Sequence, residues 1–398
     1  MLWLRPMALG VGSGVRVIFG PEPPPHGGAA PKGGAAFLGS SRCDPGPQPQ
    51  VTEFPSNGAP SQAIGSGPMQ DVFDLAPKVE LHLHLEGAIP LDTLWQIIES
   101  HGGDASVPTR EALGRRFEFR DFPHFIDTWW WMTGFLRSED DFTQIAEAVA
   151  RYLAEQNIAY AEVLFSPTDF ERHGLTPQQL ATAIRRGLDR VPDTKVVLNV
   201  DLVRDSGPQR GSATLESVLE IAVEADVRGI NIGGSEHDHP PEQFAAVYRR
   251  AAEAGLRLTA HAGEAAGPAS VWGAIRKLGV ERIGHGVRSV EDPSLVEYLV
   301  QHQVPLEVCP TSNIRTGVAS GWDDHPVHQL IAAGVNVTIS SDDPSLFNCS
   351  LASEFRTLSG YGSKSMEQLT MAAIEAAWAT EAERRELVEM VRAWWEEN

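Results

Sequence analysis

The sequence predicts an α/β protein that folds as a (β/α)8 TIM-type barrel with a helical insertion after the first strand. From about residue 70 onward, short β-rich runs alternate with longer amphipathic stretches, and the β-rich runs number eight. Histidines and carboxylates stand at the ends of several runs, where the active site of such a barrel lies. Strands that alternate with helices indicate a parallel sheet covered by helices, so a doubly wound open sheet is the alternative.

The eight predicted strands are short and mostly apolar, with turn-forming residues between them and the helices. They cover residues 78–87, 158–165, 195–202, 229–232, 257–261, 282–285, 305–308 and 336–340. The predicted helices show the apolar spacing of amphipathic helices and include residues 177–189, 215–224, 241–254, 270–278 and 381–395. An aromatic-rich excursion over 104–145, after the first strand, forms the helical insertion.

The first predicted strand carries two histidines, His82 and His84, inside an apolar run. Alternate residues of a strand share a face, and their Cα atoms are roughly 6.6 Å apart. Two imidazoles at that separation can bind one metal ion. The pair alone is more typical of a strand with two solvated histidines, so further ligands are needed at other strand ends.

Three later strands end in residues that can supply those ligands. The fifth ends at His261 with Glu264 three residues on, the sixth at His285 between glycines, and the eighth is followed by Asp342 and Asp343. One set of three imidazoles and one carboxylate suits zinc or a similar divalent ion with a position open for water. Its members are His82, His84, His261 and Asp342.

Four segments together resemble the adenosine deaminase family of the amidohydrolase superfamily. They are HLHLEG at 82–87, HAGE at 261–264, GHG at 284–286 and SDDP at 341–344. The resemblance extends from about residue 77 to the C-terminus, and VCPTSN at 308–313 is similar to bacterial members. It implies one zinc ion per chain, held by the four residues named above, and a TIM-type barrel.

The resemblance also implies roles for the residues around the metal. Glu264 would donate a proton to the purine ring, and His285 would orient or deprotonate the metal-activated water. Asp343 and the backbone of Gly234 would contact ring nitrogens. These roles are chemically consistent, because hydroxide attacks an aromatic C–NH₂ carbon slowly unless an acid protonates the adjacent ring nitrogen.

The implied reaction is hydrolytic deamination of adenosine and 2′-deoxyadenosine to inosine and deoxyinosine plus ammonia, in purine salvage. Glu86 stands where adenosine-acting relatives carry an acid near the ribose 5′-hydroxyl, which favours a purine nucleoside substrate. Relatives that act on free adenine also carry an acid there. Adenine or a modified adenine nucleoside is therefore the alternative substrate. A different kind of function is also an alternative: the protein could be a relative that binds purines without catalysis.

Two further features bear on the site. Two-metal amidohydrolases use a Lys or Glu after the fourth strand, and residues 229–234 offer neither, which favours a single metal. His237 and His239 form another His-x-His pair, but a loop position is the expected interpretation. Residues 121–131 match the family's helical lid, in which each aromatic residue either stacks on the purine or packs in a buried helix face.

Composition and charge limit the partners of the protein. A formal charge of −21 disfavours nucleic acid and anionic membranes, so a small-molecule substrate is expected. Three cysteines without a CxxC pair predict no structural disulfide and a cytoplasmic location. Residues 1–68 are rich in Pro and Gly and are expected to be a disordered extension of the barrel domain at 69–398. A targeting peptide and an upstream start ahead of Met69 are alternative explanations of this segment.

Overall fold

The computed structural model describes residues 71–119, 122–362 and 365–398, apart from the side chains of 122 and 123. The expected extension at 1–68 lies outside the described residues. Within them, nine parallel strand segments form the sheet. They are β1 (Lys78–His84), β2 (Ile158–Phe165), β3 (Lys195–Asp201), β4 (Val227–Asn231), β5 (Arg257–Leu258), β6 (His261–Ala262), β7 (Ile283–His285), β8 (Leu306–Val308) and β9 (Val337–Ile339).

The strands close into a barrel, and the fold prediction is confirmed. The order β1-β2-β3-β4-β5 continues into β6-β7-β8-β9, and every pairing is parallel. The predicted fifth strand is divided into β5 and β6 by Thr259 and Ala260, so eight predicted strands correspond to nine segments. Backbone hydrogen bonds between β1 and the residues after β9 complete the ring: the His84 N–H donates to the carbonyl of Asp342 over 2.9 Å.

Helices follow the strands, as expected for a barrel whose strands need helical crossovers. In chain order they are α1 (Val72–Leu75), α2 (Leu91–Ser100), α3 (Arg110–Arg116), α4 (Phe122–Thr133), α5 (Glu139–Glu155), α6 (Pro177–Leu188), α7 (Gly207–Leu219), α8 (Ala245–Glu253), α9 (Pro268–Gly273), α10 (Pro293–His302), α11 (Pro310–Arg315), α12 (Pro326–Ala333), α13 (Pro344–Phe347), α14 (Leu351–Ser359), α15 (Met366–Ala376) and α16 (Glu381–Glu397). The insertion after β1 contains α3 and α4, as predicted.

One helix begins and ends earlier than its apolar pattern suggested. The prediction for 215–224 was wrong, because α7 starts at Gly207 and ends at Leu219. Pro208 occupies the first turn, where its missing N–H costs no hydrogen bond. Residues 220–225 form turns, and the N–H of Ala225 donates to the carbonyl of Ile221 over 3.0 Å.

The core consists of apolar side chains that fill the barrel and the layer between barrel and helices. Strand β1 is buried along its whole length, so both of its faces are covered. Such two-sided burial is typical of parallel strands, whose neighbours and helices leave no face to water. Polar side chains inside the barrel must therefore find partners, and those near the C-terminal strand ends form the site described below. No helix in the described part of the chain is long and apolar enough to cross a membrane.

Candidate metal and catalytic site

The four predicted metal ligands converge at the C-terminal ends of β1, β6 and β9. Nε2 of His261 lies 3.1 Å from Nε2 of His82 and 3.3 Å from Nε2 of His84. Oδ1 of Asp342 lies 3.4 Å from the His82 nitrogen and 3.3 Å from the His84 nitrogen. Ligands about 2.0–2.1 Å from a tetrahedral ion are about 3.3 Å apart, so the four atoms are spaced like a zinc coordination shell.

Backbone pairing with β1 places the carboxylate of this set. The Asp342 N–H donates to the carbonyl of His82 over 3.0 Å, and the His84 N–H donates back to Asp342. Asp342 adopts φ +63°, a left-handed conformation that is unfavourable for a residue with a side chain. The two hydrogen bonds hold this strained conformation, which is common at functional sites.

Buried polar side chains orient two of the imidazoles. Nδ1 of His82 lies 2.9 Å from Oε2 of Glu307, and Nδ1 of His261 lies 3.1 Å from Oδ1 of Asn231. The amide of Asn231 donates in turn to Asp201 over 2.7 Å. Because each Nδ1 is held by a partner, each Nε2 is turned toward the cluster.

Sequence reasoning missed these supporting residues. Glu307 and Asn231 each lie inside a short apolar strand, where a polar side chain without an evident partner is unexpected. A polar residue inside an otherwise apolar strand was the one feature of the sequence that pointed to these two residues. It could not identify the partners, which are distant in sequence.

The charges of the cluster favour a bound cation. Burial lowers the pKa of His84 and takes that of His261 well below its usual range. His82 is also buried, but the hydrogen bonds that its ring donates to Asp342 and Glu307 outweigh this and raise its pKa to about 10. The carboxylate of Asp342 stays ionised, its pKa well below the usual range, because the hydrogen bond from His82 and the imidazole charges outweigh its burial. This buried donor set is suited to a metal ion.

His285 lies beside the four predicted ligands. Among the described residues, one group of potential metal-binding atoms lies within 4.8 Å of one another, and it contains His285 in place of His84. Its members are His82, His261, His285 and Asp342. Nε2 of His285 is 3.9 Å from Oδ2 of Asp342, and Nδ1 is 3.2 Å from Nδ2 of Asn313. Burial lowers the pKa of His285 to about 4, so the ring is neutral at neutral pH.

Glu264 faces the same cluster from the turn after β6. Its Oε2 lies 3.7 Å from Nε2 of His285, and 22% of its side chain remains exposed. The turn depends on Gly263, whose φ is +72°. A Cβ added to this residue would lie only 2.5 Å from a methyl group of Val271, so a larger side chain would clash. Burial, together with the charges of Asp342 and Glu236, raises the pKa of Glu264 to about 8. The group is therefore mostly protonated at neutral pH and can donate a proton.

Asp343 is a second carboxyl group that is neutral near the cluster. Burial and the adjacent charge of Asp342 raise its pKa well above the usual range. Its Oδ1 is buried and has no hydrogen-bond partner among the described residues. Gly87 allows this close approach, because a Cβ at that position would lie 1.7 Å from the same oxygen. A neutral carboxyl group with a free oxygen can exchange hydrogen bonds with a bound ligand.

The other two predicted substrate contacts lie at the same end of the barrel. Glu86 is buried, and its Oε1 accepts a 3.3 Å hydrogen bond from the Ser166 N–H. Its Oε2 has no partner within the described residues, and burial raises its pKa to about 8. Gly234 follows β4 in an exposed loop with φ +95°. Glu86 is close enough to the cluster for its charge to raise the pKa of Asp343 further, after burial and the charge of Asp342. Gly234 lies next to Asp205.

The predicted lid helix is α4, and its aromatic residues have different surroundings; a purine-stacking role for any of them stays a prediction. The ring of Trp129 stands edge-on to His84 with 6.5 Å between centroids, so it lies over the cluster. Phe125 stacks on Phe347 at 5.2 Å and packs the helix against α13. Trp130 is 48% exposed, with the guanidinium of Arg172 above its ring.

The second His-x-His pair lies in a loop, as expected. His237 is exposed and His239 is half-buried, and neither belongs to a potential metal-binding group in the described ranges. Strand β4 ends at Asn231, and residues 229–234 contain neither Lys nor Glu. A single metal ion stays a prediction. Cys309 and Cys349 are both free.

Comparisons with known proteins agree on one family. A family model described as adenosine deaminase matches residues 77–394. Aminodeoxyfutalosine deaminase from Streptomyces avermitilis is 37% identical over 284 residues, covering 70% of this chain and 79% of that protein. The crystal structure of adenine deaminase from Arthrobacter aurescens superposes with a TM-score of 0.75 at 31% identity, over 81% of this chain and 99% of that one. The crystal structure of an amidohydrolase from Burkholderia ambifaria with bound zinc superposes with a TM-score of 0.73 at 25% identity. The match covers 84% of this chain and 97% of that one.

Proposed function

The chain belongs to the adenosine deaminase family of amidohydrolase-type deaminases, and from this premise we propose that it hydrolyses the 6-amino group of an adenine compound. The observation that carries the proposal is the position of Glu264, whose Oε2 lies 3.7 Å from Nε2 of His285. His285 in turn stands beside three imidazoles and a carboxylate whose ligating atoms are 3.1–3.4 Å apart. This arrangement combines a proton donor with residues that can hold a water-activating metal ion at one end of the barrel, as hydrolytic deamination requires.

The metal is proposed to be a single zinc ion held by His82, His84, His261 and Asp342. The 3.1–3.4 Å spacing of their ligating atoms fits zinc, and zinc is present in the Burkholderia ambifaria relative. When bound, the ion lowers the pKa of a water molecule and so supplies a nucleophile at neutral pH. Glu307 and Asn231 keep the imidazoles of His82 and His261 oriented toward it.

The chain's own residues then direct the proton. Glu264 gives its proton to the ring nitrogen beside C6 as the water oxygen bonds to that carbon, so no negative charge accumulates in the ring. His285, neutral and fixed by Asn313, orients the water with Nε2. The proton of the hydroxyl group added at C6 then moves to the exocyclic nitrogen, the C6–N bond breaks and ammonia leaves, and C6 keeps the oxygen as a carbonyl. Asp343 and the N–H of Gly234 contact the remaining ring nitrogens.

The proposed substrate is a modified adenine nucleoside, with free adenine as the second candidate. The similar proteins named above act on aminodeoxyfutalosine and adenine, and the comparisons favour these alternatives over adenosine, the main expectation from sequence. Free adenine is supported by the adenine deaminase at 31% identity. A substituent on the ring is supported by Glu86, whose buried Oε2 lacks a donor that a sugar hydroxyl could supply.

The same region disfavours a phosphorylated substrate. Asp169 is close enough to Glu86 for its charge to raise the Glu86 pKa, and burial raises the pKa of Asp169 itself to about 6. An anionic phosphate placed there would lie against ionisable carboxyl groups and lose its hydration.

A substrate panel tests the proposal. Zinc-loaded protein is incubated with adenine, adenosine, 2′-deoxyadenosine, 5′-modified adenine nucleosides and adenosine monophosphate, and ammonia release is measured. We expect the highest kcat/KM with a 5′-modified nucleoside and the lowest with the monophosphate. Highest kcat/KM with free adenine would favour the second candidate. No ammonia from any 6-aminopurine would overturn the proposed function.

A further inference from the structure

Glu236 is a buried carboxylate with an unusual set of partners. Its Oε1 accepts a 2.6 Å hydrogen bond from the N–H of Gly263. Its Oε2 accepts from the N–H groups of Glu264 over 3.2 Å and Ala266 over 2.8 Å. The side chain is only 5% exposed. One carboxylate therefore binds three backbone donors of the turn that carries the proton donor.

A turn with this backbone conformation cannot satisfy its own donors. Gly263 is left-handed, so the N–H groups that follow it point to one side instead of along a helix or sheet. Buried N–H groups without partners cost free energy, and hydrogen bonds to a charged acceptor are stronger than those to a neutral one. The carboxylate of Glu236 thus fixes both the conformation and the location of the turn.

The loop that carries Glu236 is itself held by Asp205. Glu236 follows Gly234 and Ser235 in the loop after β4, and the Ser235 N–H donates to Oδ2 of Asp205 over 2.8 Å. A Cβ at Gly234 would lie 2.2 Å from that same oxygen, so only glycine lets the loop approach Asp205 this closely. The loop that carries the proposed purine contact Gly234 is therefore joined through Glu236 to the turn that carries Glu264.

We propose that Glu236 is a positioning residue for the proton donor: by binding the backbone of residues 263–266, it sets where the Glu264 carboxyl group stands relative to Gly234 and the cluster. This inference rests on the proposed function, because it assumes that Glu264 is the acid. Glu236 does not touch the reacting atoms and acts only through Glu264.

The charge of Glu236 supports the same role. Burial is the main cause of the raised pKa of Glu264, and the charges of Asp342 and Glu236 raise it further. The charges of His82 and Arg204 lower it. Removing the charge would therefore leave Glu264 less often protonated. Geometry and charge change together in a Glu236→Gln variant, since the amide offers one acceptor oxygen instead of two and turns an N–H group toward backbone donors.

A double-mutant cycle with Glu264→Gln tests the proposal in the zinc-loaded protein. Glu236→Gln should lower kcat by roughly 10- to 100-fold while KM changes less than about threefold and zinc stays at one equivalent. In the Glu264→Gln background the same change should cost less than about threefold, because the acid that Glu236 positions is already gone. A product of the two single losses in the double variant would overturn the proposal.

Hydrogen exchange provides a readout that does not depend on turnover. The amides of 263–266 should exchange at least about tenfold faster in Glu236→Gln, and the control Glu354→Gln should leave them unchanged. Glu354 is a matched control, because it is equally buried and accepts a backbone hydrogen bond from Thr311 instead. Unchanged exchange in the Glu236 variant would overturn the proposal. Loss of the proposed function would show separately, as wild-type protein without ammonia release.

Glu236→Asp covers the case in which the amide variant does not fold. It keeps the charge but is one methylene shorter, so it cannot reach all three donors. We expect faster exchange at 263–266 and a kcat between those of wild type and Glu264→Gln. Wild-type exchange together with wild-type kcat would contradict the positioning role.

Discussion

Glu264 is half-buried and Asp342 is buried beside the same cluster, yet the pKa values of these two carboxyl groups move in opposite directions. Asp342 accepts a hydrogen bond from His82 and lies among imidazoles that favour its ionised form. Glu264 receives no comparable partner, and burial raises its pKa to about 8. The two carboxyl groups can therefore hold different roles at one pH, one as a metal ligand and the other as an acid.

The role of Glu264 predicts the phenotype of Glu264→Gln. The amide keeps the shape and the metal site but cannot give up a proton, so kcat should fall by about 10²–10⁴-fold with zinc content unchanged. Steady-state kinetics and elemental analysis measure the two quantities. A kcat within about tenfold of wild type would remove Glu264 from its assigned role.

The raised pKa of Glu264 also predicts the pH dependence. Because the protonated form is the active one, kcat/KM should be constant below the pKa and decline as pH rises through it, at or somewhat below about 8 once a bound cation is present. The profile of kcat/KM against pH checks this. A rate that increases between pH 7 and 9 would contradict an acid role.

Glu86 allows the substrate to be tested from the protein side. Glu86→Ala should reduce kcat/KM for a nucleoside by about 0.5–1.5 kcal/mol, the range for a hydrogen bond to a neutral group, because the raised pKa of Glu86 keeps its carboxyl group mostly protonated. It should change any activity on free adenine much less. Kinetics on both substrates decide between nucleoside and base. Equal losses would mean that Glu86 supports the site structurally and does not contact a sugar.

At the level of strands and helices, a buried group of three charged side chains links strands of the barrel next to the metal cluster. The guanidinium of Arg282, which precedes β7, binds Glu162 on β2 over 2.5 Å and Glu307 on β8 over 2.7 Å. All three side chains are almost fully buried. Glu307 also holds His82, so this group links barrel packing to the orientation of a proposed metal ligand.

Arg282→Met should therefore be costly. Removing the cation leaves two buried carboxylates without their main partner, and we expect a loss of about 3–5 kcal/mol in the free energy of unfolding. Arg257→Met is the matched control, because its pair with Glu281 is solvent-exposed and should cost less than about 1 kcal/mol. Urea denaturation measures both. Similar values for the two variants would contradict the structural role of the buried group.

The strand ends were predictable from sequence because their chemistry is local. His82 and His84 lie two residues apart on one strand, and the motifs at 261–264 and 341–344 each combine a strand with its turn. The supporting residues were not predictable, because Glu307 and Asn231 act through contacts between strands far apart in the chain. The division of the fifth strand and the early start of α7 likewise depend on packing and turn geometry that periodicity does not encode.

At the level of the whole molecule, the expected extension at 1–68 is predicted to be dispensable. It lacks the apolar pattern of a core, and the first described helix, α1, is held by Asp71 and Asp74, which both pair with Arg356. A chain that starts at Met69 keeps those contacts and should retain its melting temperature and kcat/KM. Thermal unfolding of both chains tests this, and a decrease of more than about 4 °C would contradict it.

The proposed reaction depends on one metal ion acting together with one acid. The most direct measurement is a zinc titration of metal-stripped protein, with ammonia release from the best 6-aminopurine substrate as the signal. We predict that activity rises linearly and stops rising at one equivalent of zinc per chain, and that Asp342→Ala shows no such rise. Full activity in the metal-free protein, or a break at two equivalents, would contradict the account.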